Sequence, residues 1–191
     1  MSLAINIIGS KILREKCENI DNNYPDLVAM AKEMFTAMYD SNGIGLAAPQ
    51  IGKAIRLFVV DTSPLAEDEK NEKLKKELLE FKRVFVNPTI TSRFGELVSM
   101  EEGCLSVPDI YETVNREEGI IIEYYDENFV FKTEELHGIK SRVVQHEYDH
   151  LDGILFTDKI AIIRRKLLKN KLVAISRGKF NKRYNVKIGV K

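Results

Sequence analysis

The sequence predicts an α+β fold, in which strands are grouped and do not alternate regularly with helices. Strand-like runs lie in the middle of the chain, and helical patterns precede and follow them. A parallel sheet built from βαβ units is therefore not expected. With 191 residues, of which 44% are hydrophobic, the chain is long enough to bury its own core. The strand-like runs are Ile55–Val60, Arg83–Val86, Glu96–Ser99, Ile120–Tyr125 and Phe129–Thr133.

The helix predictions depend on start and stop residues around apolar segments. The segment Leu27–Met38 follows Pro25 and should end before Ser41-Asn42-Gly43, because Asn and Gly accept left-handed backbone. Further helices are predicted at Ile139–Leu151, from Asp158 to about Ile175, and in the charged stretch Glu67–Glu80. For the charged stretch, which should be exposed between two strands, a mobile loop is the alternative interpretation.

Charge is distributed unevenly along the chain. The formal net charge is zero, from 29 basic and 29 acidic side chains. Ile160–Lys191 holds 11 Lys or Arg and no Asp or Glu, so the first 159 residues keep 18 basic against 29 acidic residues, a net charge of −11. The basic segment is predicted either to pack on the acidic body or to contact a polyanion.

Composition also indicates the cellular compartment of the protein. No uncharged apolar run reaches the roughly 18 residues that a membrane span needs. Met1–Gly9 lacks the basic start and the cleavage site of a signal peptide. Two cysteines, Cys17 and Cys104, allow at most one disulfide. We therefore expect a cytoplasmic protein with reduced thiols and no membrane partner.

The strongest chemical signal is the segment Gln145-His146-Glu147-Tyr148-Asp149-His150. Two imidazoles at positions i and i+4 of a helix project from one face, which suits two ligands of one metal. The glutamate beside the first histidine is placed to move protons to or from a water molecule at that metal. The segment predicts a metal site.

A third ligand has several candidates. Cys104 lies between Gly103 and Pro108, which indicates a defined turn at the end of a strand. The alternative interpretation of Cys104 is a buried cysteine that acts as a small hydrophobic residue. Cys17 has no second ligand nearby, His137 is expected to form local hydrogen bonds, and carboxylates remain open as ligands.

A third segment, Gly43-Ile44-Gly45-Leu46-Ala47-Ala48-Pro49-Gln50, combines small residues with a neutral amide. The small residues bring the backbone close to a neighbouring group, and tight packing against a strand is the simpler explanation. The Gln50 amide suits stabilisation of an oxyanion on a carbonyl. The segment does not fit phosphate-loop or dinucleotide-binding patterns.

These three segments, in this order, resemble the signature of the peptide deformylase family. That family has Gly-x-Gly-x-Ala-Ala-x-Gln, here Gly43 to Gln50, then Glu-Gly-Cys-x-Ser, here Glu102 to Ser106, and Gln-His-Glu-x-Asp-His, here Gln145 to His150. The resemblance extends from about Ile5 to Ile175. It implies one catalytic domain over residues 1–191, with antiparallel strands packed around a central metal-binding helix and with a C-terminal helix.

The resemblance also implies a reaction and residue roles. Family members remove the formyl group from nascent polypeptides that begin with formyl-methionine. Cys104, His146 and His150 are expected to bind the metal, which in this family is generally ferrous iron, with nickel or zinc as substitutes. Glu147 is expected to move the protons. The oxyanion is expected to be held by Gln50 and the Leu105 backbone N–H.

Substrate contacts follow from the same resemblance. Backbone groups of Ile44, Gly45 and Gly103 are expected to pair with an extended substrate, and Ile139 and Val143 to line the methionine pocket. Some relatives carry an Arg where this chain has Asp109-Ile110-Tyr111, and Arg116 is a candidate partner of Glu102 here. The basic segment 160–191 is expected to contact the ribosome or to pack on the body, and no oligomeric state is predicted.

Two alternatives have other chemistry. A zinc peptidase shares His-Glu-x-x-His, but it usually recruits a later His or Glu, and no His follows His150. A ribosome-binding module with a structural metal would need four protein ligands. Cys104 and Gln50 favour the deformylase over the peptidase, and only three convincing ligands are found for a structural metal.

Overall fold

The computed structural model describes residues 3–189, and Met1, Ser2 and the last two residues of the predicted basic segment lie outside them. The predicted α+β class is confirmed. Five strands form an antiparallel sheet in the order β2-β3-β4-β5-β6. The elements are β1 (Ile5–Asn6), α1 (Leu27–Asp40), β2 (Gly45–Ala47), β3 (Leu57–Asp61), α2 (Glu72–Leu79), β4 (Lys82–Cys104), β5 (Val107–Tyr125), β6 (Phe131–His137), α3 (Gly138–Leu151), α4 (Ile162–Ser176) and β7 (Val186–Lys187).

The sheet is dominated by two long strands. The predicted runs Arg83–Val86 and Glu96–Ser99 belong to one strand, β4, which has 23 residues and pairs with the 19 residues of β5. Register shifts interrupt this pairing at several places, among them Phe94/Leu97. Each shift breaks the alternation of apolar and polar residues, so one bent strand has the sequence pattern of two short ones.

Two other strand boundaries differ from the prediction. β3 begins at Leu57, because Ile55 forms an isolated bridge with Glu18. β6 begins at Phe131, since Phe129 has a positive φ of 56° within a turn. The Asp126 carboxylate stabilises this turn by accepting hydrogen bonds from the backbone of Asn128 and Val130 at 2.9 and 3.0 Å.

Helix α3 packs against the sheet with almost every side chain buried. Its apolar residues Val143, Val144 and Leu151 join a cluster with Phe58 and Phe85 of the sheet. Its polar residues are buried as well, which is unusual unless they are paired or functional. Helix α1 packs on the same sheet through a second cluster that includes Met34, Met38, Leu46 and Val59.

The charged stretch forms a helix, α2, as predicted, although only residues 72–79 are helical. Asn71 caps it, because its side chain accepts hydrogen bonds from the backbone of Lys73 and Leu74. Leu78 is buried, and Glu77 pairs with Lys140 of α3 at 2.9 Å. The insertion is therefore attached to the body of the molecule.

The last helix begins later than predicted. A short 3₁₀ turn at Phe156–Asp158 comes first, in which the Asp158 side chain accepts a hydrogen bond from the Leu155 backbone at 2.9 Å. After α4 the chain returns to the body, and β7 pairs in parallel with β1. Within residues 3–189, no helix is both long and apolar enough to cross a membrane.

Candidate metal centre

The predicted metal-site residues come together at the end of β4. Helix α3 places His146 and His150 one turn apart on one face, with ring centroids 5.1 Å apart. Cys104 is the last residue of β4, and its Sγ lies 3.3 Å from His150 Nε2. One ligand atom from each of the three residues lies within 4.8 Å of the others.

The donor set fits a divalent transition metal. A thiolate and two imidazoles are the ligands that such ions prefer in proteins. With metal–ligand bonds of about 2.0 to 2.3 Å, tetrahedral geometry separates neighbouring ligand atoms by about 3.5 Å, close to the 3.3 Å between Cys104 and His150. His150 Nδ1 and Glu147 Oε2 are buried polar atoms that find no hydrogen-bond partner among the described residues. The residues present are thus compatible with a bound metal.

The other ligand candidates lie elsewhere. Cys17 is unpaired and packs in the apolar cluster under the sheet, where burial raises the pKa of its thiol to about 11. His137 makes the expected local hydrogen bonds, with Glu118 at 3.2 Å and Glu135 at 3.0 Å. Neither residue joins Cys104, His146 and His150.

Glu102 lies at the centre of a buried charge network beside the three candidate ligands. One of its oxygens lies 2.9 Å from His146 Nδ1, which leaves His146 Nε2 directed to the metal position. Arg116 binds both oxygens of Glu102, at 2.6 and 2.9 Å, and a third nitrogen reaches Asp149 of α3 at 2.6 Å. Arg142 adds a bond of 2.9 Å to Glu102. Burial opposes ionisation, but hydrogen bonds from Arg116 and His146 hold the pKa of Glu102 far below its usual range.

Glu147 is buried next to the candidate ligands, at 4% exposure. Burial raises the pKa of its carboxyl to about 7, with neighbouring Glu102 acting in the same direction against the opposing effect of His146. Its carboxylate packs on the backbone of Gly45, and a Cβ atom at residue 45 would overlap it. The close approach predicted for the small-residue segment is therefore the contact of Gly45 with Glu147.

Gln50 lies on the other side of Cys104 in a fixed orientation. Its Oε1 accepts a hydrogen bond from the Ala47 backbone at 2.7 Å, which directs the Nε2 group toward the site. That Nε2 donates to Ser106 Oγ at 3.1 Å and lies 3.7 Å from Cys104 Sγ. Leu105 and Ser106 form the turn between β4 and β5.

A cavity of about 410 Å³ opens beside these residues. All the predicted substrate-contacting residues line it: Ile44, Gly45, Gly103, Ile139 and Val143. Gln50, Cys104, Leu105, His146 and Glu147 line it as well. Residues that the sequence did not indicate also contribute to its wall, namely Leu65, Tyr111, Arg142, Asn181, Arg183 and Tyr184. Tyr111, in the stretch where some relatives carry Arg, packs over Gly103.

Comparisons with known sequences match most of the chain. The sequence profile of the family described as "Polypeptide deformylase" matches residues 2–166. A peptide deformylase from Christiangramia forsetii is 45% identical over 188 residues, which cover 98% of this chain and 96% of the relative. One from Flavobacterium psychrophilum is also 45% identical and covers 98% and 97% of the two chains.

Solved structures of peptide deformylases are also similar to this chain. The crystal structure of the Thermus thermophilus peptide deformylase has a TM-score of 0.79 and 38% identity, with 94% of this chain and 98% of the other covered. The Thermotoga maritima enzyme has a TM-score of 0.73 and 32% identity, and covers 84% and 99%. The chain belongs to the polypeptide deformylase family, metal-dependent hydrolases that remove the formyl group from nascent polypeptides beginning with N-formyl-methionine.

Proposed function

We propose that deformylation takes place in the cavity beside Cys104, with Cys104, His146 and His150 as the metal ligands. The clustering of these three donors beside a buried glutamate is the observation that carries the proposal. When bound, the metal acts as a Lewis acid that lowers the pKa of water and polarises the formyl carbonyl. We further propose ferrous iron as the ion, as the family resemblance implies, with nickel or zinc able to replace it.

Glu147 is proposed to move the protons. As water attacks the formyl carbon, the carboxylate accepts a proton and later delivers it to the departing amine, so that formate and a free N-terminus result. A general acid and base works best with a pKa near the operating pH, and burial raises the pKa of Glu147 to about 7. The contact with Gly45 holds the carboxylate in place while it performs both steps.

Gln50 and Leu105 are proposed to stabilise the oxyanion that forms on the formyl oxygen. Gln50 Nε2 supports this role because the Ala47 backbone fixes the orientation of its amide. The Leu105 N–H belongs to the turn that directly follows the candidate ligand Cys104. Two neutral donors aimed at one developing charge are a common arrangement for acyl transfer.

The substrate is proposed to bind as an added strand. β2 is an edge strand of the sheet, so Gly45 and the preceding Ile44 can offer backbone groups to an extended peptide, and Gly103 lines the same cavity. Ile139 and Val143, which lie two turns and one turn before Glu147 on α3, support a methionine pocket because they add apolar surface to the cavity wall.

Three further proposals concern the whole chain. Residues 1–191 are proposed to form one catalytic domain in the cytoplasm, since both cysteines are unpaired and the described core is shared between the terminal segments and the sheet. The basic segment 160–191 is proposed to contact the ribosome, where the substrate emerges. The 11 Lys and Arg residues of this segment and the exposure of most of α4 support the proposal.

The test is formate release by protein prepared anaerobically with ferrous iron and supplied with a formyl-methionyl peptide. Glu147→Ala should abolish release, by about 10³-fold or more, while metal analysis finds the ion still bound. Glu33→Ala, which removes an exposed carboxylate of α1, is the matched control and should keep full activity. Cleavage of an internal peptide bond, or undiminished release by Glu147→Ala, would contradict the proposal.

A further inference from the structure

The chain after α4 returns to the cleft and contributes to its wall. Strand β7 pairs in parallel with β1, through bonds from the Ile5 and Ile7 backbone to residues 185 and 187 at 2.9 and 3.2 Å. The packing is close, because a Cβ atom at Gly189 would lie 2.8 Å from the Ser10 backbone. Asn181, Arg183 and Tyr184 of this tail line the 410 Å³ cavity.

Tyr184 is the tail residue that reaches the proposed oxyanion site. Its hydroxyl donates a hydrogen bond of 2.6 Å to the backbone carbonyl of Leu105. The ring is half-buried and packs, like the Leu105 side chain, against the apolar cluster of α1. Burial raises the pKa of the Tyr184 phenol well above its usual value, so the hydroxyl keeps its proton at neutral pH.

The next carbonyl of the same turn is held from the opposite end of the chain. The Ser106 carbonyl accepts a hydrogen bond of 2.7 Å from the Ile8 backbone N–H. Leu105 and Ser106 are the two residues that connect β4 to β5, where the pairing shifts register between Gly103 and Cys104. The two carbonyls of this irregular turn are therefore each tied to a terminal segment of the chain.

The orientation of this turn determines where the Leu105 N–H, a proposed oxyanion donor, is directed. The Leu105 carbonyl and the Leu105 N–H lie in adjacent rigid peptide planes that meet at one Cα atom, and the pairing of Cys104 with Val107 anchors both ends of the turn. Fixing the carbonyl therefore also restricts the orientation of the N–H. An oxyanion donor must be held in its productive direction before the reaction, because reorganisation during the reaction reduces its effect. The same turn also carries Cys104 on its N-terminal side.

We infer that Tyr184 is a positioning residue for deformylation, which acts by fixing the Leu105 peptide so that its N–H points at the formyl oxygen. The inference depends on the proposed role of Leu105. It assigns a function in the reaction to the C-terminal tail, which lies outside the 2–166 segment that the family profile matches.

Tyr184→Phe tests the inference, because it removes only the hydroxyl and keeps the ring. We expect kcat for a formyl-methionyl peptide to fall about tenfold with KM within about twofold, since loss of an oxyanion donor itself costs about 10²- to 10³-fold and misorientation costs less. Tyr24→Phe is the matched control, because Tyr24 is half-buried against the same apolar cluster. Its kcat should stay at the wild-type value.

Hydrogen exchange of the metal-free protein supplies a readout that is independent of activity. In Tyr184→Phe, the amides of Leu105 and Ser106 should exchange faster while the thermal midpoint changes by less than about 3 °C. Unchanged kcat, or a lowered kcat with unchanged exchange of the Leu105 and Ser106 amides, would overturn the inference. Absence of formate release by the wild-type protein would instead contradict the proposed function, and the exchange measurement would still report on the Tyr184 contact.

Discussion

Gly45 lies where the backbone of β2 meets the carboxylate of Glu147. A side chain at residue 45 would occupy the space of that carboxylate, although the backbone conformation itself does not require glycine. Residue 45 is therefore limited to glycine by the space that the Glu147 carboxylate occupies. This is the physical reason for a glycine in the small-residue segment.

Gly45→Ala should lower kcat by about 10²-fold, because displacing a proton-transfer group by about 1 Å costs about that factor. The fold should be retained, since Ala is accepted in a strand. Gly43→Ala is the comparison, because its Cβ would meet the flexible end of the Leu105 side chain at 2.8 Å. Gly43→Ala should lose less activity than Gly45→Ala. Steady-state assays of the two variants at equal metal content measure this difference. Equal losses would contradict the assignment of Gly45 as the residue that makes room for Glu147.

Most site residues could be predicted from short motifs, whereas the role of Glu102 could not. Glu102 stands in the Glu-Gly-Cys motif, but the motif does not indicate its contact with His146. The alternation of a strand puts Glu102 on the same face as Cys104, and helical spacing puts Arg142 on the same face as His146. These two patterns could have indicated the central position of Glu102 in the charge network. Tyr184 had no such signal, because it is 79 residues from its partner Leu105 and lies in a tail without periodicity.

At the scale of elements, the long hairpin of β4 and β5 holds the ligand-bearing turn against α3. The sequence predicted the helices better than these strands. Helix α3 follows its pattern from a glycine start to a glycine after its end. The strands are broken by register shifts, which erase the two-residue period that strand prediction uses.

The buried Arg116 network is the main polar connection between that hairpin and α3. Its guanidinium, 2% exposed, pairs with Glu102 of β4 and Asp149 of α3. Breaking a buried pair by removing one partner is costly, because the remaining charge stays desolvated. The sequence makes Arg116 a candidate partner of Glu102, 14 residues away, and this pair is present, but it does not indicate the second partner, Asp149, which is 33 residues away.

Arg116→Met should lower the free energy of unfolding by about 3 kcal/mol, at the lower end of the range for a broken buried pair. The lower end is expected because Arg142 still contacts Glu102 and Lys159 still contacts Asp149. Urea unfolding of the metal-free protein measures this change without a contribution from metal binding. Arg165→Met, which removes an exposed partner of Asp158, is the control and should cost less than about 1 kcal/mol. Equal costs for the two variants would contradict a stabilising role of the network.

At the scale of the whole molecule, the opposed charges of the chain are only partly neutralised by contact. Arg164 pairs with Glu112 at 2.6 Å and Arg165 with Asp158 at 2.9 Å, so part of the basic segment packs on the acidic body. Lys166 and Lys169 of α4 are exposed, and among the described residues neither has an ion-pair partner. Apolar side chains of the same helix are exposed beside them, namely Ile162, Ile163 and Leu167.

Exposed cations next to exposed apolar side chains favour an intermolecular contact for α4 over a purely structural role. If that partner is the ribosome, reversing two of the cations should weaken co-sedimentation with ribosomes and reduce its dependence on salt, because fewer phosphate-bound counterions are released. The double variant Lys166→Glu/Lys169→Glu tests this. Turnover of a short formyl-methionyl peptide should stay within about twofold of wild type, since neither lysine lines the cavity.

The matched control is Lys73→Glu/Lys76→Glu on α2, which has the same spacing, the same change in net charge and similar exposure. A ribosome contact through α4 predicts loss of co-sedimentation for the α4 variant alone. Equal losses for both pairs would indicate that only net charge matters, and equal retention would leave α4 without a role in ribosome binding. Deleting the tail is a poorer test, because β7 and the Tyr184 contact with Leu105 would be removed together with the charges. Substitution separates the two functions that the C-terminal segment is proposed to combine, attachment to the ribosome by α4 and support of the catalytic turn by the tail.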